Sequence, residues 1–299
     1  ICVQGSVLNG ILNNILGDEL LTLSTKGDVL NILTKQNKVN LKLYPHEDFP
    51  TLPVVEGVSL NISTQKMIEG IKSVYYSATV SDIKPEIASV YIYPQDDNII
   101  FVATDSFRLA EKKVKVKNIP EFPPILIPYK NIIEIMRVYD GVNDDIEIIL
   151  SKNQCSFISQ NIYLTSRLVD GAFPDYRQII PKTSKTQAII LKNDLLNTLK
   201  LSTVIADKFN QITLTMNVKE KRCEISSKNS DIGDQNTSVG AALSGESMSL
   251  TLNFKYILDA FQSLTGDSVS INVLDPQKPV IITSVGDNTF TYLIMPMNK

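Results

Sequence analysis

The chain has one histidine, His46, inside the turn-like segment Tyr44-Pro45-His46-Glu47-Asp48. A lone imidazole offers no histidine partner for a metal and little scope for general-base work near neutral pH. The acidic pairs Asp96-Asp97 and Asp144-Asp145 could hold a divalent cation for hydrolysis, but each sits between apolar strand patterns and reads as a turn. Cys2, Cys155 and Cys223 are odd in number and far apart, which fits a reducing compartment and gives neither disulfide nor zinc-site spacing. No Walker loop or dinucleotide glycine run is present. These residue types point away from an enzyme and away from any cofactor or metal. What remains is binding: cations spread along helical segments, and a Met295-Pro296-Met297 tail whose two methionines need something to cover them.

The cations belong to a repeat. Amphipathic helix patterns open near Gln4, Ser63, Tyr129, Lys192 and Asn253, roughly 60 residues apart, each followed by short alternating strands. In the first, Val7, Leu8, Ile11, Leu12, Ile15 and Leu16 form one apolar stripe, with Gly17 as the stop signal and strands at 20–24, 29–34 and 38–44. The second is expected over 63–78, with Ser63 as N-cap, Met67, Ile68, Ile71, Val74 and Tyr75 inward, and Lys66, Glu69 and Lys72 outward. The third spans 129–139 and ends at Asp140-Gly141. The fourth uses Leu195, Leu196, Leu199 and Val204, and the fifth Tyr256, Ile257, Ala260, Phe261 and Leu264, closed by Gly266. One helix with a few strands cannot bury both faces alone, so neighbouring units must share a sheet or a core.

At 299 residues, with 43% hydrophobic and 20% charged residues, the chain has the composition of a folded protein of two or three domains. No apolar run reaches the roughly 18 residues of a membrane span. The opening residues lack a signal-peptide pattern, and Ile1 leads to the expectation that the chain begins inside a longer protein. The net charge of −3 argues against a uniformly basic surface but leaves room for a basic stripe. Proline-rich stretches at 48–53 and 173–183 read as linkers, giving expected domains over 1–54, 55–181 and 182–299, the first with only one helix unit.

Four segments carry a resemblance. Phe101-Val102-Ala103-Thr104-Asp105-Ser106-Phe107-Arg108-Leu109-Ala110, the run from Ser166-Arg167 through Phe173-Pro174-Asp175-Tyr176-Arg177-Gln178-Ile179-Ile180-Pro181, the C-terminal Tyr292-Leu293-Ile294-Met295-Pro296-Met297, and more weakly Asp48-Phe49-Pro50 resemble the bacterial DNA polymerase III β subunits, the DNA sliding clamps. All four occur in that family's order and at similar spacing. The resemblance spans the whole chain but lacks the family's first helix unit, on the order of 65 residues.

The resemblance implies an α+β DNA-clamp fold of repeated helix-plus-antiparallel-strand units, with helices lining a ring and sheets outside. Twelve helices about 10 Å apart would leave a bore on the order of 28 Å, wide enough for hydrated duplex DNA. The function implied is that of a non-catalytic processivity factor, cytoplasmic and nucleoid-associated, without cofactor or membrane, that encircles duplex DNA regardless of sequence. Candidate DNA-facing cations are Lys66, Lys72, Lys84, Lys130, Arg137, Lys200 and Lys255, interrupted by Glu69, Glu134, Asp194 and Asp259, so weak, salt-sensitive phosphate contact is expected.

Replicative polymerase, clamp loader and repair proteins would dock short peptides in a hydrophobic pocket. The family's pocket, carried over by position, falls on Ile87, Thr104, Ser106, Phe107, Arg108, Leu109, Pro174, Gln178, Ile179, Leu293, Met295, Pro296 and Met297. Burying a Leu or Phe anchor is worth about 1.5–3 kcal/mol, and methionines let one pocket fit several partners. Gln178 stands where many clamps have Arg, Phe107 where some have His, Asn298-Lys299 replaces a common Arg-Leu ending, and Pro85-Glu86 occupies a stretch that is aromatic in some members. The homodimer interface is expected at Val39, Asn40 and Leu41 on an edge strand and at Thr203 and Val204. Acidic residues often found near the latter are absent from Gln235-Asn236-Thr237-Ser238-Val239, and with half of the first domain absent this stretch alone is expected to close rings poorly. The alternatives are a repeat scaffold that never encircles DNA and a clamp homologue that binds partner peptides only.

Overall fold

The structure is a computed structural model that describes residues 1–15, 20–49, 51, 53–81 and 83–297. Leu16, Gly17, Pro50, Leu52, Asn298 and Lys299, which entered the sequence reading, lie outside the described residues. Two units separate, Ile1–Val54 and Val55–Lys299.

In the first unit, α1 (Gly5–Asn14) precedes the antiparallel meander β1 (Thr22–Lys26), β2 (Val29–Leu33) and β3 (Lys38–Lys42). The first strand starts two residues later than the alternation predicts. Its partner sets the register: Lys26 faces Val29 and Thr22 faces Leu33 across a two-residue turn in which Gly27 takes φ +58°. Leu30 and Ile32 are buried on β2. The stripe on α1 does not form a core within this unit: none of its described residues is fully buried, and Val7 and Leu12 are exposed.

The second unit runs β4 (Val58–Ser63), α2 (Thr64–Lys72), β5 (Ser89–Gln95), β6 (Asn98–Thr104), β7 (Arg108–Lys115), β8 (Ile125–Pro128), α3 (Tyr129–Tyr139), β9 (Asp145–Leu150), β10 (Gln154–Ser159) and β11 (Ile162–Arg167). It continues with β12 (Thr186–Leu191), α4 (Lys192–Ile205), β13 (Gln211–Asn217), β14 (Arg222–Asn229), β15 (Gly233–Val239), β16 (Ala241–Gly245), β17 (Met248–Asn253), α5 (Phe254–Ala260), β18 (Ser268–Val273), β19 (Val280–Ser284) and β20 (Phe290–Ile294).

Four times a strand leads directly into a helix, and each leading strand pairs with the strands of the neighbouring repeat. Thus β4 joins β9, β8 joins β5, β12 joins β18 and β17 joins β13. This exchange solves the burial problem posed by the repeat, because every helix pair covers sheets built from both halves. The sheets are β11-β10-β9-β4, β15-β14-β13-β17 and the nine-stranded β16-β12-β18-β19-β20-β7-β6-β5-β8. In the last, β7 and β20 fuse two halves of the unit, with Leu109 opposite Leu293.

The predicted bounds of α3 are those observed, and α4 opens at the predicted Lys192. On α2, Met67, Ile68 and Ile71 are buried, and Gly70 is required where a Cβ would lie 2.4 Å from the buried Phe101 ring. That helix stops at Lys72, not at residue 78. Ser73 donates its hydroxyl to the Glu69 carbonyl (2.7 Å), competing with the helical ladder, and a 3₁₀ turn over Tyr75–Ser77 follows. Ser63 occupies the N-cap position without a side-chain cap, whereas Asn253 caps α5 by accepting from the Lys255 N–H (2.9 Å). Val204, expected in the buried stripe of α4, is instead 66% exposed. Asp96 lies in the β5–β6 turn with φ +52°, while Asp145 opens β9 instead of staying in a turn.

No described helix is long and apolar enough to cross a membrane, and no group of three potential metal ligands occurs among the described residues. Cys155 and Cys223 are buried free thiols, and burial pushes their pKa up to about 12 and about 11, so neither is poised for nucleophilic chemistry.

Candidate functional site

A second, smaller apolar cluster lies apart from the main core: Tyr93, Ile100, Val102, Leu109, Tyr176 and Leu293, with Tyr91, Phe173, Ile180 and Ile281 packed on it. It buries the face of β5, β6, β7 and β20 that the main core does not use. The segment Phe173–Ile180 crosses over this face and turns in a short 3₁₀ helix at Tyr176–Ile179. Its fixed points are specific. Phe173 stacks on Tyr91 with centroids 4.6 Å apart. Arg177 donates to the Tyr93 hydroxyl (2.7 Å), which contacts the Tyr176 hydroxyl (2.7 Å), and Tyr176 donates to the Glu111 carboxylate. Burial, reinforced by the bonds to Glu111 and Tyr93, drives the Tyr176 phenol far above its usual pKa, so it stays protonated and remains a donor.

With Tyr176 held beneath, the same turn leaves Gln178 and Ile179 outside. A cleft of about 440 Å³ opens beside them, lined by Gln178, Ile179, Ile180, Pro181, Leu274, Gln277, Lys278, Pro279 and Met295. One wall is the 3₁₀ turn, the other is the β18–β19 connection, and Met295 follows β20. Ile179 is 49% exposed and Met295 36% exposed, so both offer apolar surface to a ligand. This is an apolar slot with a few polar groups at its margin, the usual make-up of a peptide or small-ligand site.

Met295 ties the cleft to the 104–108 turn. Its N–H donates to the Phe107 carbonyl (2.8 Å), and the Met297 N–H donates to the Thr251 carbonyl (2.9 Å). The turn is rigid: Thr104 Oγ1 bonds the Arg108 carbonyl (2.7 Å), Ser106 sits at φ +77°, and Asp105 accepts from the N–H groups of Phe107 (3.0 Å) and Arg108 (2.9 Å). Phe107 projects outward, 61% exposed. Arg108 is turned inward to Asp105 (2.9 Å) and to Asp259 of α5, with its guanidinium 4.6 Å from the Tyr256 ring centroid. Burial works against its charge, but Tyr292, Asp259 and Asp105 outweigh that and raise its pKa above the ordinary arginine value.

Of the residues carried over for a peptide pocket, Gln178, Ile179 and Met295 meet in the cleft, and Thr104, Ser106, Phe107 and Arg108 form the turn joined to it. Leu109 and Leu293 are buried beneath, at 1% and 2% exposure. Pro174 is exposed on the crossing segment, Pro296 and Met297 are half-buried, and Ile87 is buried in the turn before β5. The other wall, from Leu274 to Pro279, had no signal beyond a proline-bounded turn. Glu111 was equally hidden, because Arg108-Leu109-Ala110-Glu111-Lys112-Lys113 reads as an ordinary charged strand.

The cations differ in their commitments. Lys66 Nζ donates to the Lys115 carbonyl (2.8 Å), Lys72 pairs with Asp140 (2.7 Å), and Arg137 Nε pairs with Glu134 (2.9 Å). Lys130, Lys200 and Lys255 are exposed on α3, α4 and α5, and Lys84 lies in a turn off the helices. Glu69 is matched by the buried Lys112 (2.9 Å) and Asp259 by Arg108, so those carboxylates are already neutralised. In the first unit, Val39 and Leu41 are half-buried and Asn40 exposed on the outer strand β3. In the second, Thr203 and Val204 are exposed at the end of α4. The half-buried Gln235 of β15 accepts from Ser202 (3.1 Å) and Ser227 (3.0 Å) there.

Comparison with known proteins gives a consistent result. Residues 61–175 match the DNA polymerase III β-subunit central domain, and residues 177–298 match its C-terminal domain. A "Beta sliding clamp" of Synechocystis sp. is 27% identical over 320 residues, covering 99% of this chain and 82% of that protein. One from Staphylococcus aureus is 26% identical over 280 residues, covering 92% and 74%. The β subunit of DNA polymerase III from Thermotoga maritima superposes with a TM-score of 0.90 at 26% identity, covering 99% of this chain and 81% of that one. The Bacillus subtilis sliding clamp does so with 0.92 at 25% identity, covering 99% and 79%.

Proposed function

The chain belongs to the family of bacterial DNA polymerase III β subunits, the DNA sliding clamps, and from that premise we propose that its cleft at Ile179 and Met295 is where partner peptides dock. As a member of that family it is a non-catalytic processivity factor acting on duplex DNA together with polymerase and clamp-loader partners. The observation that carries the docking reading is the cleft itself, apolar at its centre and held open by a turn stapled to the sheet through Tyr176 and Glu111. Leu109 and Leu293 lie in the buried cluster with Tyr176 of that turn, the 104–108 turn supports Met295, and a Leu or Phe side chain from a partner gains about 1.5–3 kcal/mol by entering. Anisotropy of a labelled peptide with one leucine anchor tests the reading. Saturable binding competed by unlabelled peptide is expected, and its absence would exclude the cleft as a dock.

The same reading assigns residues 55–181 and 182–299 to the central and C-terminal clamp domains and 1–54 to part of the first. Lys66, Lys72, Lys84, Lys130, Arg137, Lys200 and Lys255 face DNA phosphates, and Val39, Asn40, Leu41, Thr203 and Val204 meet between subunits of a homodimeric ring in the cytoplasm, at the nucleoid. Lys66, Lys72 and Arg137 are engaged within the chain, so any phosphate contact they make competes with those partners. Lys130→Glu is expected to weaken association with short duplex DNA several-fold at low salt, with the difference fading as salt rises. Equal titrations for the two proteins at low salt would remove Lys130 from the DNA-facing set.

A further inference from the structure

The cleft is apolar at its centre but not neutral at its edge. Of the residues lining it, Lys278 is the one that carries a formal charge. Its position is fixed by the β18–β19 connection, where the Lys278 N–H donates to the Asp275 carbonyl (3.0 Å). Its side chain is exposed and, among the described residues, its ammonium has neither a carboxylate within ion-pair distance nor a hydrogen-bond acceptor. The carboxylates that flank the cleft in sequence are already engaged. Asp275 accepts from the Gln277 N–H (2.9 Å), and Asp175 accepts from Gln178 Nε2 (2.6 Å). An unmatched cation beside an apolar slot attracts a ligand that pairs an apolar anchor with a nearby negative charge.

We propose that Lys278 is a specificity-determining residue of this cleft, selecting partner peptides that carry a carboxylate close to their apolar anchor. The inference rests on the docking reading above and adds to it the chemical class of partner. An apolar anchor alone discriminates little among hydrophobic peptides of similar size, because burial is non-directional. The charge supplies the missing discrimination. It sets rank order among partners more than total affinity, since an exposed ion pair is worth only a small multiple in binding and is screened by salt.

The test is a panel of short synthetic peptides, each with one leucine anchor and a single Asp moved through the flanking positions, together with Asn counterparts. Binding is measured by anisotropy to the unaltered chain and to its K278A, K278E and I179D variants. At one or more positions the Asp peptide should bind about two- to fivefold tighter than its Asn counterpart at low salt. The ratio should fall to about one in K278A, invert in K278E, and shrink in the unaltered protein at high salt. No preference at any position, or a preference that survives K278A, overturns the assignment while leaving the cleft intact as a dock. Binding that is absent, or that is unaffected by I179D, removes the docking reading and this inference with it.

Discussion

Replacing Leu109 with Ala is expected to destabilise the second unit by about 2–5 kcal/mol, the range for deleting most of a fully buried leucine. Leu109 is 1% exposed and lies at the centre of the small cluster, opposite Thr104 on β6 and Leu293 on β20. Its neighbours there include the aromatic rings of Tyr93 and Tyr176, and those rings are tethered. Tyr93 is held by Arg177 and Tyr176, and Tyr176 by Glu111, so neither ring can move far into the space without breaking a hydrogen bond. The cavity therefore stays largely open, which places the loss toward the upper part of that range. Urea unfolding at constant m-value measures it. A loss below about 1 kcal/mol would mean that the cluster collapses around the deletion and that its tethered rings do not hold it open.

Ile179→Asp is the complementary change, with a large effect on binding and little on folding. Ile179 is 49% exposed and outside both core clusters, so unfolding midpoints should move by no more than a surface substitution usually causes, about 0.5 kcal/mol. In the docked state the same position is covered by an apolar anchor, and the new carboxylate would be stripped of water without a partner on the wall it replaces. That penalty is several kcal/mol, and each 1.4 kcal/mol is tenfold in affinity, so a loss of about 100-fold or more is expected by anisotropy. Lys278 stands on the same cleft and could offer partial relief, which makes I179N a useful companion because it separates lost apolar contact from added charge. Affinity within threefold of the unaltered protein would show that peptides bind elsewhere.

The helices were legible because their signals are local. For α3, Pro128 before the first residue and Asp140-Gly141 after the last mark both ends, and Gly141 takes the left-handed φ of +78° that such a stop requires. The end of α2 was not legible, because the competing bond is made by Ser73, a residue that periodicity counts as neutral. In the first unit the apolar stripe on α1 was easy to read, yet what covers it is a tertiary matter: Leu8, Ile11 and Ile15 are only half-buried, and Val7 and Leu12 are exposed.

The site divides in the same way. Phe173-Pro174-Asp175-Tyr176 and Met295-Pro296-Met297 stood out as segments, but the facing wall from Leu274 to Pro279 did not, because its role depends on β19 lying beside β20. Arg108 was carried over by position as a pocket residue. Its ion pair with Asp259, far along the chain on α5, turns it inward as a brace for the 104–108 turn. Glu111 and Lys112 look like solvated strand charges and are both buried, each matched by a partner no local pattern reveals: Tyr176 for one, Glu69 and Thr289 for the other. Local rules recover elements, whereas buried charge pairing is decided only once the sheets assemble.

The most direct measurement is photo-crosslinking of a leucine-anchored peptide carrying a photoreactive group at the anchor, followed by mapping of the modified residues. Docking in the cleft predicts adducts at Ile179, at Met295 and on the connection from Leu274 to Pro279, all suppressed by excess unlabelled peptide. Adducts concentrated on another surface, such as the exposed face of β13, β14 and β15, would contradict the assignment of this cleft as the partner dock.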